Sequence, residues 1–237
     1  IFYFIIYFLL FFVLIYSGIK IYEWYRDKNK NNEIAKKIKE TVIVESNGKN
    51  KEEYLIDFDK LKEQNNEAIA WIKVNNTNIE YPVVKTKNNE FYLNHSFDKS
   101  ENLGGWIFAD YKNKFNGTDK NIVIYGHNMK DNSMFGTMQN ILNPEWYNNE
   151  ENTNIILKTE GKNYIYKVFS IYRIENEDYY IKTEFSNDSE FEQFLNTLKA
   201  RSIRDFNMDM LESDSILTLS TCDNNNKYRV VLHAKKI

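Results

Sequence analysis

The sequence predicts a mainly β protein of the α+β class, in which the strands close into a barrel that is preceded by helices. From Ala70 onward, short β-like runs follow one another, separated by clusters of Asn, Gly and Asp. Helical spacing of apolar residues is confined to a few segments, and an uncharged apolar run opens the chain. Seven or eight strands in this arrangement favour a mixed β-barrel over a doubly wound βαβ sheet.

The barrel region contains both predicted strands and two predicted helices. An apolar stripe at helical spacing predicts a helix over 189–202, and a weaker pattern predicts a shorter helix over 134–142. The strands are predicted over 70–74, 79–84, 105–110, 121–127, 154–159, 164–174, 215–222 and 228–236.

Residues 1–19 form the apolar run and contain no charged side chain. As a helix this run would rise about 28 Å, close to the hydrocarbon thickness of a bilayer. A cleaved signal peptide would have a shorter apolar stretch and a small-x-small cleavage site, and no good site lies near Ser17 and Gly18. The run is therefore predicted to be an uncleaved, single-pass membrane anchor. Aromatic residues at its C-terminal edge are typical of a membrane interface: Tyr16, Tyr22, Trp24 and Tyr25.

The charges around the run do not decide its orientation. The basic residues Lys20, Arg26, Lys28 and Lys30 follow it, which taken alone would place that side in the cytoplasm. Because the sequence begins with Ile1, the comparison with charges on the other side cannot be completed. Orientation therefore has to follow from function.

Three regions are predicted along the chain. Residues 1–25 are the membrane anchor, residues 26–66 a helical stalk with N-terminal helices, and residues 67–237 the barrel domain. Within the stalk, apolar spacing predicts a helix over 33–45, then a loop over 46–50 and a second helix over 51–65.

Composition excludes several classes of function. The formal net charge of −3 provides no electrostatic reason to expect a nucleic-acid partner. One cysteine among 237 residues rules out an intramolecular disulfide and a zinc site built from several thiolates. No cluster of His and carboxylates and no phosphate-binding glycine loop is present, so no metal or cofactor is predicted. The lone thiol is either a small buried side chain or a reactive group.

A reactive cysteine needs a nearby base or cation, and two residues at predicted strand ends meet that need. Cys222 ends the strand 215–222, and Arg229 opens the next one, so a hairpin would bring the two together. His127 ends another strand, although the pattern alone does not bring it to Cys222. His95 lies in a polar loop and is predicted to be a surface residue, and His233 lies in the last strand.

The residues around these positions resemble a known family. Residues 218–222 read TLSTC and are followed by an arginine on the next strand, which resembles the TLxTC signature of sortases. The segment 125–128, YGHN, is similar to the segment that bears their histidine. The anchor matches their usual topology, so the resemblance covers essentially the whole chain. Ser220, the N-terminal helices and the helix over 189–202 resemble class B sortases in particular.

The resemblance implies an eight-stranded sortase β-barrel and a catalytic Cys222, His127 and Arg229. The Cys222 thiolate would attack a carbonyl in a sorting motif, His127 would act as general acid and then base, and Arg229 would stabilise the oxyanion. An acidic residue at a loop start is usually a turn former, so Asp110 and Asp223 are weak candidates for a further catalytic acid. Six positions resemble substrate-binding residues of class B: Asn89, Leu93, Tyr125, Ser220, Tyr180 and Ile181.

The expected partners follow from this reaction. They are secreted surface proteins with a C-terminal sorting motif, a peptidoglycan-precursor amine and the membrane, with the catalytic domain outside the cell. Two alternatives remain open: a secreted cysteine peptidase that uses water as the acceptor, and a membrane-anchored binding module on an inactive barrel.

Overall fold

A computed structural model describes residues 2–45, 54–175, 177–222 and 227–237 of the chain, with Cys222 described by its backbone. The described part contains a long N-terminal helix, a small hairpin and an eight-stranded barrel with short helices on its surface. Asp223 lies outside the described residues.

The chain opens with a long helix, α1 (Phe2–Val42), followed by a small hairpin and a short helix. Strand β1 (Ile43–Glu45) pairs antiparallel with strand β2 (Tyr54–Ile56), and helix α2 (Phe58–Gln64) comes next. The Asp57 carboxylate caps α2 by accepting a hydrogen bond from the backbone N–H of Lys60 at 3.0 Å.

Helix α1 joins two regions that the sequence predicts as separate helices. The predicted anchor over 1–25 and the predicted stalk helix over 33–45 belong to one continuous helix that ends at Val42. No proline interrupts this stretch, so nothing forces a break between its apolar and polar parts. The helix of 41 residues is about 60 Å long.

The apolar part of α1 is a candidate membrane span. It is the one helix in the described part of the chain that is long and apolar enough to cross a bilayer, and none of its apolar window is buried against the protein. A core helix of a soluble protein would bury that window, so its full exposure favours a span.

The second predicted helix is wrong in its start. It was expected over 51–65, but α2 begins at Phe58 because residues 54–56 pair with β1 and Asp57 provides the cap. The predicted loop over 46–50 lies outside the described residues. The division of the chain into three regions stays a prediction.

The eight barrel strands follow α2 and confirm the predicted fold class. The strands close in the order β10-β8-β7-β3-β4-β5-β6-β9, and all neighbours are antiparallel except β4–β5 and β6–β9. Their bounds are β3 (Ala68–Val74), β4 (Glu80–Val84), β5 (Phe108–Ala109), β6 (Asn121–Gly126), β7 (Asn154–Thr159), β8 (Lys162–Glu175), β9 (Ile216–Cys222) and β10 (Tyr228–Lys236).

Two predicted elements differ from the observed ones. The strand expected over 105–110 is reduced to β5, because Gly105 has a φ of +54° and leaves the extended conformation. The helix expected over 134–142 is a 3₁₀ helix over Gly136–Leu142. In its first turn the Met138 N–H donates to the Phe135 carbonyl three residues earlier, the spacing typical of a 3₁₀ helix.

Strands β9 and β10 have two different faces. Leu217, Leu219 and Leu232 point into the barrel core, whereas Thr218 and Ser220 alternate with them and point outward. Helix α4 (Asp188–Arg201) covers this outer face, after helix α3 (Pro144–Tyr147) and a 3₁₀ helix over Tyr179–Ile181. The apolar stripe predicted on the helix over 189–202 is buried there, in a second cluster outside the barrel: Phe191, Phe194, Leu195 and Leu198.

Candidate active site

Strand register brings the three predicted catalytic positions to one end of the barrel. Cys222 lies directly opposite Arg229 in the antiparallel pair β9–β10, which confirms the predicted hairpin. In the parallel pair β6–β9, Gly126 lies opposite Thr221, so His127 follows one residue beyond the strand. The closed barrel thus supplies what the linear pattern lacks, a reason for His127 to lie beside the end of the cysteine strand.

The His127 ring is held by a backbone carbonyl. Its Nε2 lies 2.8 Å from the Leu93 carbonyl oxygen, which can only accept, so Nε2 carries the proton. In the neutral ring the lone pair is then on Nδ1. Burial lowers the pKa of His127 below its ordinary value, and the bond to Leu93 opposes this shift only in part.

Two glycines let the chain pass close to this histidine. A Cβ on Gly105 would lie 2.4 Å from the Tyr92 carbonyl oxygen and 3.0 Å from the His127 ring carbon Cδ2. A Cβ on Gly126 would lie 2.5 Å from Ile107 and 2.7 Å from the Phe135 ring. At Gly105 the backbone therefore approaches His127 more closely than a residue with a side chain would permit, and at Gly126, the residue before His127, two side chains pack directly against the backbone.

A buried carboxylate organises two of the predicted substrate-binding residues. Asp110 is 4% exposed, and its Oδ2 accepts hydrogen bonds from the Tyr125 hydroxyl and the Asn89 amide, each at 2.8 Å. Burial and the Asp110 charge raise the pKa of Tyr125, while the positive charge of Arg229 acts in the opposite direction. Arg229 is therefore close enough to Tyr125 to influence it electrostatically. Asp110 serves the Tyr125 and Asn89 side chains, and its bonds do not include His127.

The remaining predicted substrate-binding residues divide into surface and buried ones. Leu93 is 45% exposed, and Ile181 is half-buried. In contrast, Tyr180 and Ser220 are 0% and 1% exposed, and their hydroxyls lie 2.9 Å apart. Direct contact with a peptide is not possible for these two side chains in this structure, because Ser220 faces outward under the 3₁₀ helix that carries Tyr180. Tyr180 and Ser220 instead lie beneath the site and support it through their mutual hydrogen bond.

His233 belongs to a polar network that the sequence did not reveal. It is fully buried, with Nδ1 at 2.9 Å from the Thr218 hydroxyl and Nε2 at 2.9 Å from the Tyr172 hydroxyl. Thr218 donates its own proton to Asn121 Oδ1 at 2.8 Å, so it must accept from His233 Nδ1. Burial lowers the pKa of His233 to about 3, which keeps the ring neutral.

This network reaches the 3₁₀ helix over Tyr179–Ile181. The Asn121 amide donates to the Lys182 carbonyl at 2.9 Å, and the Tyr179 hydroxyl donates to that of Tyr172 at 3.3 Å. The third histidine, His95, stacks on Phe91 at 4.0 Å and is half-buried in its loop. Alternation along β9 and β10 could have placed Thr218 and His233 on one face, but not their partners on β6 and β8.

Comparison with known families agrees with this fold. Residues 72–237 match the family described as the Sortase domain. The chain therefore belongs to the sortase family, whose members are cysteine transpeptidases.

Individual relatives point to class B within that family. The chain is 34% identical over 231 residues to Sortase B of Listeria monocytogenes, covering 94% of this chain and 92% of the relative. The structure of sortase B from Bacillus anthracis is 31% identical with a TM-score of 0.78, covering 88% of this chain and 96% of that one. A sortase B–substrate complex from Staphylococcus aureus is 34% identical with a TM-score of 0.71, covering 76% and 84% of the two chains. The predicted family and barrel are thus confirmed.

Proposed function

We propose that this chain is a membrane-anchored, class B-like sortase that cleaves a sorting motif in secreted proteins and joins them to a cell-wall amine. The observation that carries the proposal is the register at the barrel end. It sets Cys222 opposite Arg229 and brings His127 to the neighbouring strand end. The family supplies the reaction class, and this register supports the assignment of the three residues.

The reaction has two halves with one covalent intermediate. The Cys222 thiolate attacks the carbonyl carbon of the scissile amide, and the C–N bond breaks as protonated His127 donates a proton to the departing amine. The acyl group is then held as a thioester on Cys222. An incoming amine attacks this thioester and forms a new amide, neutral His127 accepts its proton, and the thiolate departs. Cysteine and histidine return to their starting states.

Arg229 is assigned to the oxygen that becomes negative during both attacks. A guanidinium stays charged at any physiological pH and offers several N–H donors. Its position opposite Cys222 on β10 suits this role, and its charge also acts on the hydroxyl of Tyr125.

The substrate peptide is proposed to lie across the surface formed by Asn89, Leu93, Tyr125 and Ile181. Asp110 holds Asn89 and Tyr125 together, so this part of the surface is preorganised. Tyr180 and Ser220 support it from below. That the Staphylococcus aureus relative has been solved with a substrate favours peptide binding on the same fold.

The anchor is assigned to the apolar part of α1, with the catalytic domain outside the cell, where sorting motifs and peptidoglycan precursors meet. The basic residues after the apolar run would favour a cytoplasmic position if their charges were unpaired. Each of them has an acidic partner, so their charges argue less strongly against a position outside the cell. Lys28 and Lys30 pair with Asp131 and Asp98 of the barrel domain, at 3.9 and 3.2 Å. These charges thus serve contacts within the protein as well as any membrane surface.

A peptide panel with and without an added amine tests the proposal. The full chain in detergent should release the leaving peptide and form an amide product with a glycine-peptide acceptor. Cys222→Ala should abolish both activities, and His127→Ala and Arg229→Ala should reduce them by at least about 100-fold. Hydrolysis that the amine leaves unaffected would instead identify a peptidase. Full activity in Cys222→Ala would refute the nucleophile assignment.

A further inference from the structure

Helix α1 buries two polar side chains beyond its apolar part. Asp27 is 5% exposed and Asn31 is 2% exposed, and their spacing of four residues places them on the same face of the helix. A buried polar group is unfavourable unless it is hydrogen-bonded, so the partners of these side chains indicate what the face is for.

Asn31 uses both ends of its amide on the loop that precedes β5. Its Nδ2 donates to the Gly105 carbonyl at 3.0 Å and to Asn102 Oδ1 at 3.2 Å, and its Oδ1 accepts from the Ser96 hydroxyl at 2.6 Å. Asp27 accepts two further hydrogen bonds from the same loop. Its carboxylate Oδ2 accepts from the Leu103 N–H at 3.1 Å, and its backbone carbonyl accepts from Asn102 Nδ2 at 2.8 Å.

The other side of Gly105 faces the histidine. A Cβ added to Gly105 would lie 2.8 Å from the Leu93 carbonyl oxygen and 3.0 Å from His127 Cδ2. The Leu93 carbonyl is the acceptor for His127 Nε2. Gly105 is thus held between Asn31 on one side and the hydrogen-bonded pair of Leu93 and His127 on the other.

Helix α1 also reaches the loop that follows His127. Lys28 forms a 3.9 Å ion pair with Asp131, whose carboxylate is 7% exposed. A Cβ added to Gly104 would lie 3.1 Å from Asn31 Nδ2 and 3.2 Å from Met129 Cε, so Asn31 and the Met129 side chain meet across Gly104. The helix therefore contacts the chain on both sides of the histidine.

We propose that Asn31 is a positioning residue for His127, and that residues 27–31 of α1 form part of the active-site framework. Asn31 holds the Gly105 carbonyl by a hydrogen bond, and Gly105 packs closely against the Leu93 carbonyl. The Leu93 carbonyl in turn sets the orientation and tautomer of the His127 imidazole. The inference rests on the proposed role of His127 in proton transfer.

The test compares two variants of the full chain in detergent micelles. Asn31→Leu keeps the branching of the side chain at Cγ and removes all three of its hydrogen bonds. Ser96→Ala, the matched control, removes one bond of the same network and leaves the Gly105 contact in place. Two quantities are measured: kcat and KM for a sorting peptide, and the ¹⁵N-resolved Nε2–H resonance of His127.

In Asn31→Leu, kcat should fall about 10- to 100-fold while KM changes less than about threefold, because misplacing an acid–base group affects the chemical step. The Nε2–H resonance should lose its hydrogen-bonded shift. Ser96→Ala should stay within about threefold of the unaltered protein in both constants and keep the resonance. If Asn31→Leu does not fold, Asn31→Asp keeps the acceptor for Ser96, removes both donors and should give the same pair of changes.

An unchanged Nε2–H resonance in Asn31→Leu would overturn the inference, whatever happens to kcat. A changed resonance with an unchanged kcat would uphold the positioning of the ring and instead refute the catalytic role proposed for His127. The two failures are therefore distinguishable.

Discussion

At the residue scale, the state of His127 governs how the proposed reaction depends on pH. The ring is mostly buried, and it donates Nε2–H to the Leu93 carbonyl. Burial disfavours the imidazolium, so the protonated ring that acts as general acid forms only at a lower pH than in an exposed histidine. At neutral pH the ring is therefore mostly neutral, and the acid form is a minority species.

The pH profile of kcat/KM should show this shift. The proposed reaction needs the Cys222 thiolate together with protonated His127, and kcat/KM reports both groups in the free enzyme. For a thiol of ordinary pKa, about 8.5, acidification between the two pKa values removes thiolate and adds imidazolium in equal proportion, so kcat/KM stays level. Below the pKa of His127 only thiolate is lost, so the acidic limb should lie below the ordinary histidine pKa of about 6.5. In His127→Ala the residual activity should follow the thiolate alone and decline from about pH 8.5. An acidic limb above pH 7 in the unaltered protein would contradict the assigned environment.

Gly105 offers a second test at this scale, since the chain contains a matched control. Gly105 and Gly161 both have positive φ values, +54° and +72°, but a Cβ on Gly161 would meet nothing within 4 Å. Alanine at either position carries a backbone strain of about 1–2 kcal/mol. Only Gly105→Ala must also displace the Tyr92 and Leu93 carbonyls.

Gly105→Ala should therefore lower kcat/KM at least about tenfold and destabilise the fold more than Gly161→Ala does. Peptide kinetics and urea unfolding measure the two effects. Equal behaviour of the two variants would mean that the close approach of Gly105 to the histidine is not needed.

At the element scale, strand β9 is tied to the neighbouring elements by the network centred on His233. The strand contributes Thr218, β10 contributes His233, β6 contributes Asn121 and β8 contributes Tyr172. Through the Asn121 amide the network also holds the turn after the 3₁₀ helix over Tyr179–Ile181. Hydrogen bonds on the barrel's outer face thus support the proposed substrate surface.

This network should make stability sensitive to acid. The pKa of His233 is about 3 in the folded protein and near 6.5 when unfolded, so between these values only the unfolded chain takes up the proton. The free energy of unfolding should therefore fall by about 2 kcal/mol between pH 6.5 and 5 through this residue alone.

Urea unfolding of the unaltered protein and of His233→Gln at both pH values isolates this contribution. The decrease on acidification should be smaller in His233→Gln, since glutamine does not titrate. The ring resonances of His233 should also show no titration between pH 8 and 5, a measurement that does not depend on the variant folding. Titration near pH 6.5 would contradict the buried, neutral ring.

At the scale of the whole molecule, the continuity of α1 would set the distance between the barrel and the membrane in the proposed anchored state. Asp27 lies eight residues beyond Ile19, which corresponds to about 12 Å along the helix. The Leu103 N–H bonds to Asp27, so the loop next to the histidine lies at this height. The end of α1 at Val42 lies about 35 Å along the helix from Ile19, and Leu55 pairs with Val44 just beyond that end.

A depth measurement tests this arrangement. Leu103 and Leu55 are similarly exposed, at 57% and 56%, and either can be replaced by a labelled cysteine in a Cys222→Ser background. In vesicles, lipid-attached quenchers near the headgroups should reduce the fluorescence of the label at 103 and leave the label at 55 unaffected. Equal quenching at both positions would show that the helix does not hold the barrel upright on the membrane.

The sequence alone determined the features that depend on local pattern. Alternation and turn residues predicted the barrel strands, the uncharged run predicted the candidate span, and the TLSTC signature with an arginine on the next strand indicated the family, which the comparisons confirm. The pairing of Cys222 with Arg229 was also predictable, because a short loop joins adjacent strands. These features involve residues that are neighbours along the chain or repeat at a fixed period.

Only the tertiary structure decided which distant residues meet at the site. The parallel pairing of β6 with β9 brings His127 beside the cysteine strand. Packing of the 3₁₀ helix over Tyr179–Ile181 on the outer face of the barrel buries Ser220 and Tyr180, which the family resemblance assigned to the substrate groove. The Leu93 carbonyl contacts His127, which lies 34 residues further along the chain, and Asn31 contacts Gly105, 74 residues further along. No periodic pattern encodes such contacts, because they depend on how the closed barrel and the docked helix fit together.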